Sequence, residues 1–141
     1  GLFNIKVATE DGSVKCSYYD YLTKHQKHPF WTKGINSIKN LFAKEEEVIG
    51  YVGMKMVLDE ADITNVAVLP SHRKKGIAGK LLKQLLEEAK KQNLHSIYLE
   101  VRASNIAAVT LYEHAGFKEV GQRKNYYDNP REDARLMLWE A

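Results

Sequence analysis

The most regular pattern of apolar positions in the chain lies at residues 77–91. Its apolar residues recur with the spacing of one helix face, and they are Leu81, Leu82, Leu85, Leu86 and Ala89. A second segment, residues 107–115, repeats this spacing. Ser104 or Asn105 is suited to cap the start of that segment, and Gly116 is suited to end it. The pattern therefore predicts two amphipathic helices in the second half of the chain.

Runs of β-branched, aromatic and alternating apolar residues predict strands around these helices. The segments are "FNIKVATE", "VIGYVGMKMVLDE", residues 63–69, "SIYLEV", "FKEVGQRKNYY" and "ARLMLWE". In the first half of the chain, less regular helical spacing predicts helices over residues 14–26 and 31–42. Strands that alternate with helices predict a mixed α/β domain in which helices cross between strands.

The composition predicts a single globular domain over residues 1–141. With 44% hydrophobic and 28% charged residues, the chain has enough apolar material for a core. No apolar run approaches the ~20 residues that a membrane helix requires. The single cysteine, Cys16, has no partner for an intrachain disulfide, and neither it nor the histidines show metal-ligand spacing. We therefore expect a cytoplasmic protein without a secretory leader, membrane partner or metal, present as a monomer or weak dimer.

Positive charge is concentrated in one part of the chain. The net charge is only +3, but residues 61–95 hold seven Lys or Arg against three acids. Three of these basic residues, Arg73, Lys74 and Lys75, directly precede a glycine at the start of the predicted long helix. Unpaired N–H groups at a helix start attract phosphate, and glycine permits a close approach. This distribution favours a compact phosphate-bearing ligand over nucleic acid, although lysines that simply cover an exposed helix face remain an alternative.

The same segment resembles a known motif. Residues 73–78, "RKKGIA", resemble the pattern [Q/R]-x-x-G-x-[G/A] that opens the long helix of GCN5-related N-acetyltransferases (GNAT). Further segments resemble the bacterial family that acetylates the N-terminal alanine of a small-subunit ribosomal protein. They are "LDEA" (58–61), "NVAV" (65–68), "LEVRASN" (99–105), "LYEHAGF" (111–117), "RKNYY" (123–127) and "RED" (131–133). The resemblance thus covers residues 58–133, just over half of the chain.

The resemblance implies a GNAT fold, a mixed sheet flanked by helices. Its central parallel strands, residues 64–69 and 97–101 here, would splay apart to admit acetyl-CoA. The open strand would pair with the pantetheine arm, and the turn before the long helix would hold the pyrophosphate. The residues assigned to acetyl-CoA in this way are Val66, Ala67, Val68, Arg73, Lys74, Lys75, Gly76, Ile77, Ala78, Gly79, Asn105 and Tyr112. Position 78 is Ala, which the family tolerates, and an ordinary turn between strand and helix is the alternative.

The resemblance also implies two catalytic residues, Glu100 as base and Tyr112 as acid. Acetyl transfer needs a neutral amine, a hydrogen-bond donor to the thioester oxygen and a proton for the leaving thiolate. Glu100 lies within an apolar strand, where a half-buried carboxylate can act through a water. An exposed carboxylate or an ion pair with arginine is the alternative for Glu100, and a core aromatic is the alternative for Tyr112. The N–H of Val68 is the candidate donor to the thioester oxygen.

The acceptor that the resemblance implies is the N-terminal α-amine of a ribosomal protein. A free α-amine has a pKa of about 8 against about 10.4 for lysine, so a single carboxylate base favours the α-amine. Trp31, Tyr126 and Tyr127 are expected to join Glu100 in binding the acceptor, although the tyrosines could be ordinary strand aromatics. The alternatives are a GNAT enzyme for a small amine or a lysine side chain, and a non-catalytic CoA-binding module.

Overall fold

The computed structural model describes residues 2–9, 14–20 and 48–141. These residues form one seven-stranded sheet in the order β2-β1-β3-β4-β5-β7-β6. The strands are β1 (Leu2–Thr9), β2 (Val14–Asp20), β3 (Val48–Val57), β4 (Glu60–Val68), β5 (Ser96–Arg102), β6 (Lys118–Tyr127) and β7 (Glu132–Glu140). The helices are α1 (Ile77–Lys91) and α2 (Ile106–His114), and a short 3-10 turn covers Pro70–His72.

Both predicted helices in the second half of the chain are present. All five apolar residues predicted to face the core from α1 are buried. In α2 the Asn105 side chain caps the first turn by accepting a hydrogen bond from the Ala108 N–H at 3.2 Å. Gly116 ends the helix with φ of 102°, and the Phe117 N–H donates back to the Tyr112 carbonyl at 3.0 Å.

The parallel pair at the centre of the sheet separates after a short contact. All other neighbouring strands are antiparallel, whereas β4 and β5 run parallel and pair only between Glu60–Asp62 and Ser96–Tyr98. Next to this contact the register of β3 against β4 shifts, so that Gly53 lies opposite Asn65 and Met54 opposite Ile63. One additional residue, Thr64, is therefore accommodated in β4. Such a bulge bends a strand, which accounts for the divergence of β4 from β5.

Gly53 lies opposite this bulge, and an isolated glycine inside an apolar strand is a known signal for one. A Cβ atom added there would lie 2.9 Å from the Thr64 side-chain oxygen, which is closer than real Cβ contacts allow. A larger residue at position 53 would therefore require the Thr64 side chain to move.

The core lies on the α1 side of β3, β4 and β5. On β5 the side chains of Ile97, Leu99 and Val101 are buried, whereas their alternating neighbours are half-buried. The alternation of residues in "SIYLEV" predicts such a two-faced strand, and the burial pattern agrees with it. One face contributes to the core, and Glu100 projects from the other.

One of the helix predictions is wrong over its described part. Residues 14–20 form β2, which pairs antiparallel with β1 from Leu2↔Asp20 to Ala8↔Val14. The segment "VKCSYYD" contains valine and two tyrosines, which favour strands, and pairing with β1 outweighs its helical spacing. The remainder of that prediction and the helix predicted for residues 31–42 lie outside the described residues. In addition, β4 begins at Glu60, before the predicted start at residue 63.

Candidate active site

A cavity of about 700 Å³ opens where β4 and β5 diverge. One wall consists of β4 and the turn before α1, and the opposite wall consists of β5, α2 and the end of β6. The predicted site residues that line this cavity are Val66, Ala67, Val68, Arg73, Ala78, Glu100, Asn105, Tyr112 and Tyr127. Residues from the segment around β4 and the start of α1 and from the later segment around β5 and α2 therefore converge at one place.

The β4 wall presents a strand edge. From residue 63 onward β4 pairs with β3 on one side, and no described strand pairs with its other edge. Val66 and Val68 lie on this part of the strand, as predicted. The Arg73 Nε donates a hydrogen bond to the Val68 carbonyl at 3.2 Å, which fixes the following turn against the strand. The exposed edge is suited to an extended, amide-containing ligand.

A second cavity of about 300 Å³ adjoins the first at the start of α1. It shares five lining residues with the first cavity: Val68, Arg73, Ala78, Ala107 and Leu111. The turn uses two left-handed residues, Lys74 with φ of 63° and Gly76 with φ of 76°.

The first turn of α1 leaves donors available at this second cavity. The first helical hydrogen bond runs from the Lys80 N–H to the Gly76 carbonyl, so the earlier N–H groups lack partners within the helix. Most of the predicted pyrophosphate-binding residues line one or both cavities. Lys75 lines neither of them.

Glu100 is half-buried, with 23% of its side chain exposed, and it forms an ion pair. Its Oε1 lies 3.2 Å from the Nε of Arg123, which is on β6 and does not line the cavity. Glu100 therefore lines the cavity as predicted. It also forms the ion pair with an arginine that was the alternative for this residue. Among the described residues that line this cavity, Glu100 supplies the one carboxylate.

Tyr112 is buried on the same cavity, and its ring meets the Phe117 ring edge-on at 5.8 Å between centroids. Burial raises the pKa of the Tyr112 phenol to about 12, with a smaller contribution from Tyr127. The hydroxyl is therefore protonated at neutral pH and available as a hydrogen-bond donor.

The predicted acceptor residues do not all lie in the cavity. Tyr127 lines it, and burial raises the pKa of its phenol. Tyr126 is half exposed, packs edge-to-face on Tyr127 at 5.0 Å, and does not line the cavity. Trp31 lies outside the described residues.

Three charged residues around the site were missed: Arg102, Arg123 and Glu132. Arg102 lines the cavity and forms an ion pair with Glu132 across 30 positions of sequence. The motifs "VRASN" and "RED" contain both partners, but sequence spacing alone gave no reason to pair them.

The described residues contain neither a cluster of metal ligands nor a helix that could span a membrane. Within the parts of the chain that the structure describes, no group of three His, Cys, Asp or Glu side chains could hold a metal ion. The described helices are also too short or too polar to cross a membrane.

Comparison with known proteins identifies the family. Residues 7–117 match the model of the Acetyltransferase (GNAT) family, and the chain therefore belongs to that family. This confirms the family and the fold predicted from sequence, and acetyl-CoA is the co-substrate of GNAT acetyltransferases.

Individual relatives show which members of the family the chain is similar to. The chain is 46% identical over 85 residues to the [ribosomal protein bS18]-alanine N-acetyltransferase of Escherichia coli K12, a match that covers 59% of this chain. It is 35% identical over 114 residues to the Salmonella typhimurium protein of the same name, covering 79% of this chain and 77% of that protein. The match spans 57% of the length of the Escherichia coli relative.

A solved structure supports the same comparison. The ribosomal-protein-S18-alanine N-acetyltransferase from Escherichia coli superposes with a TM-score of 0.65 at 39% identity. The superposition covers 70% of this chain and 64% of that one. The similarity therefore extends to the fold as well as to the sequence.

Proposed function

We propose that this chain transfers the acetyl group of acetyl-CoA to the α-amine of a protein N-terminus, namely the N-terminal alanine of ribosomal protein bS18. The observation that carries the proposal is the convergence of Glu100 and Tyr112 on the cavity between the diverging strands. The similarity to relatives named for this reaction supports the choice of acceptor.

The residues present fit acetyl-CoA as co-substrate. The open edge of β4 offers main-chain groups to the amide-containing pantetheine arm in the manner of an added strand. The first turn of α1 offers unpaired N–H groups and a positive helix end to the pyrophosphate, with Arg73 and Lys74 beside it. Asn105 keeps its cap role in α2 while it lines the same cavity.

The chemistry is direct attack of the amine nitrogen on the thioester carbon. An N–C bond forms, the C–S bond breaks, and the amine loses a proton while the thiolate gains one. Glu100 accepts the proton of the acceptor, directly or through a water. Arg123 forms an ion pair with the same carboxylate. An ammonium group that approaches Glu100 therefore competes with Arg123 for it.

Tyr112 acts as a hydrogen-bond donor to the departing sulfur. Burial raises the pKa of this phenol to about 12, so the hydroxyl carries its proton at neutral pH. A hydrogen bond from the phenol stabilises the thiolate as it forms, and the proton that ends on sulfur comes from the amine or from solvent.

The ionisation of amines supports an α-amine acceptor. At neutral pH about a tenth of α-amines are uncharged, whereas well under a thousandth of lysine amines are. The difference is about 3 kcal/mol of deprotonation that a lysine-directed site must supply. A cavity with one described carboxylate, itself paired with Arg123, is better suited to the less basic amine.

The test is an acetyl-CoA turnover assay read by mass spectrometry with two peptides. One carries the bS18 N-terminus with a free alanine and internal lysines, and the other is the same peptide with a blocked N-terminus. We expect a single acetyl group on the free peptide and none on the blocked one. Acetylation of both peptides would indicate a lysine acceptor and contradict the proposal.

Spermidine as a third acceptor tests the alternative that the chain acetylates a small amine. Turnover of spermidine with neither peptide modified would replace the proposed acceptor. Binding of acetyl-CoA with no acceptor turned over would point to the non-catalytic module.

A further inference from the structure

The turn between β6 and β7, residues 128–131, is held by a side chain from β5. The Arg102 guanidinium donates from Nη2 to the Asp128 carbonyl at 3.2 Å and from Nη1 to the Pro130 carbonyl at 3.0 Å. The same Nη1 also reaches the Glu132 carboxylate at 3.4 Å. One arginine therefore binds both ends of the turn.

The same guanidinium lies against the aromatic ring of Tyr127. The distance from the Arg102 Cζ to the ring centroid is 4.5 Å, which is close enough for a cation–π contact. Tyr127 lines the cavity together with Glu100 and Tyr112. The orientation of this part of the cavity wall is thus coupled to Arg102.

Glu132 connects this arrangement to the start of α2. Its Oε2 takes the bond from Arg102, and its Oε1 accepts a hydrogen bond from the Ser104 N–H at 2.6 Å. Hydrogen bonding from Ser104 holds the pKa of Glu132 below its usual value, so the carboxylate stays charged at neutral pH. Ser104 directly precedes Asn105, the capping residue of α2.

We propose that Arg102 is a positioning residue for the acceptor: through Tyr127 and the 128–131 turn, it fixes the acceptor side of the cavity. The proposal rests on the proposed function, and it identifies the part of the site that determines acceptor binding. The strand edge of β4 and the start of α1, which are assigned to acetyl-CoA, lie on the opposite wall, whereas Asn105 and Tyr112 lie on the same wall as Arg102.

Arginine is needed for this role. Its planar fork of N–H donors can satisfy two carbonyls and a carboxylate at once while its flat face stacks on an aromatic ring. Lysine carries the same charge as a point on a flexible stem and cannot reproduce that set of contacts. Arg102→Lys therefore separates geometry from charge.

The chain provides a closely matched control. Arg135 on β7 also pairs with a glutamate on a neighbouring strand, Glu119, at 3.8 Å. Its side chain is 29% exposed against 31% for Arg102, but neither Arg135 nor Glu119 lines the cavity. Arg135→Lys makes the same chemical change on the same sheet at a residue that does not line the cavity.

The experiment compares steady-state kinetics of the parent, Arg102→Lys and Arg135→Lys with the free-alanine bS18 peptide. For Arg102→Lys we expect the KM for peptide to rise between about ten- and a hundredfold, because the Tyr127 wall is misplaced. We expect kcat and the Kd for acetyl-CoA to change by less than about threefold, and Arg135→Lys to match the parent. An unchanged peptide KM, or a loss confined to acetyl-CoA binding, would overturn the proposal.

A spectroscopic readout keeps the proposal separate from the proposed function. The protein is labelled with 3-fluorotyrosine, and the ¹⁹F resonance of Tyr127 is assigned with Tyr127→Phe. Arg102→Lys should shift this resonance and Arg135→Lys should not, whether or not the chain acetylates the peptide. A parent that acetylates neither peptide would contradict the proposed function alone, whereas an unmoved Tyr127 resonance would contradict the positioning role.

A second variant covers the case in which Arg102→Lys fails to fold, as judged by a thermal melt. Glu132→Gln keeps an oxygen for the Ser104 N–H and removes the charge that faces Arg102. We expect it to shift the Tyr127 resonance and to raise the peptide KM in the same direction by a smaller factor. A resonance and a KM that both match the parent would overturn the proposal.

Discussion

The two walls of the cavity are built in different ways. The wall formed by β4 and the start of α1 presents main-chain groups: an open strand edge and the N–H groups of a first helical turn. The wall formed by β5, α2 and β6 presents side chains, namely Glu100, Tyr112 and Tyr127.

This difference separates two kinds of sequence requirement. Main-chain groups are available from almost any residue, so the first wall depends on backbone shape and on a few glycines. The second wall depends on particular functional groups held by particular partners. Substitutions should therefore affect catalysis strongly on the second wall and weakly on the first.

The largest effect is expected for Glu100→Gln. Removing a general base typically costs between about 10² and 10⁴ in rate, so we expect kcat at neutral pH to fall by at least about a hundredfold. The loss should shrink as the pH rises past about 8, because the α-amine then deprotonates without assistance. The measurement is a pH profile of kcat from thiol release.

Glu119→Gln is the matched control for this change. Glu119 also pairs with an arginine and does not line the cavity, so its variant should retain the parent profile. A Glu100→Gln variant with the parent rate at neutral pH would remove Glu100 from the role of base.

A smaller loss is expected for Tyr112→Phe. The variant keeps the buried ring and removes the hydrogen bond to the departing sulfur, so kcat should fall between about ten- and a hundredfold. Because the pKa of Tyr112 is about 12, this loss should be constant from neutral pH to about pH 10. Tyr98→Phe, on the same strand as Glu100 but outside the cavity lining, should keep the parent kcat.

The same phenol gives a prediction for stability at alkaline pH. The pKa of the Tyr112 phenol in the folded protein is about 12, above the ordinary tyrosine value of 10.0, so the folded state binds the proton more tightly than the unfolded state. The stabilisation is complete below pH 10 and is lost as the pH rises through about 12, up to about 3 kcal/mol. Denaturant unfolding at several pH values should show a shallower alkaline decline for Tyr112→Phe. If the free energy of unfolding fell equally with pH in the parent and in Tyr112→Phe, the raised pKa of Tyr112 would be contradicted.

The smallest catalytic effect is expected on the main-chain wall, for Gly76→Ala. A Cβ at this position would meet no atom within 4 Å, but the φ of 76° is unfavourable for alanine. The free energy of unfolding should fall by about 1–2 kcal/mol, with kcat unchanged. The Kd for acetyl-CoA should rise less than about fivefold, since the N–H groups remain. A loss of kcat as large as that of Tyr112→Phe would contradict the distinction between the walls.

The sequence predicted residues on both walls, but not the contacts that hold the side chains of the second wall in place. The turn before α1 and the helix itself follow from local patterns, namely a basic run, a glycine and helical spacing. The alternation on β5 likewise placed Glu100 opposite the core. In contrast, the bonds of Arg102 join residues 26 to 30 positions apart, and the pairing of Glu100 with Arg123 requires β6 and β7 to be placed first. The strand β2 was missed because its partner, rather than its own pattern, determines its conformation.

The short contact between β4 and β5 has a consequence for cooperativity. Strand hydrogen bonding divides the sheet into a leaf of β2, β1, β3 and β4 and a leaf of β5, β7 and β6, joined by three residue pairs. An extended ligand that bonded to the free edge of β4 while it contacted β5 would act as a strand shared by both leaves. Unfolding of the two leaves would then become more strongly coupled, and saturation of the gap would merge them into one cooperative unit.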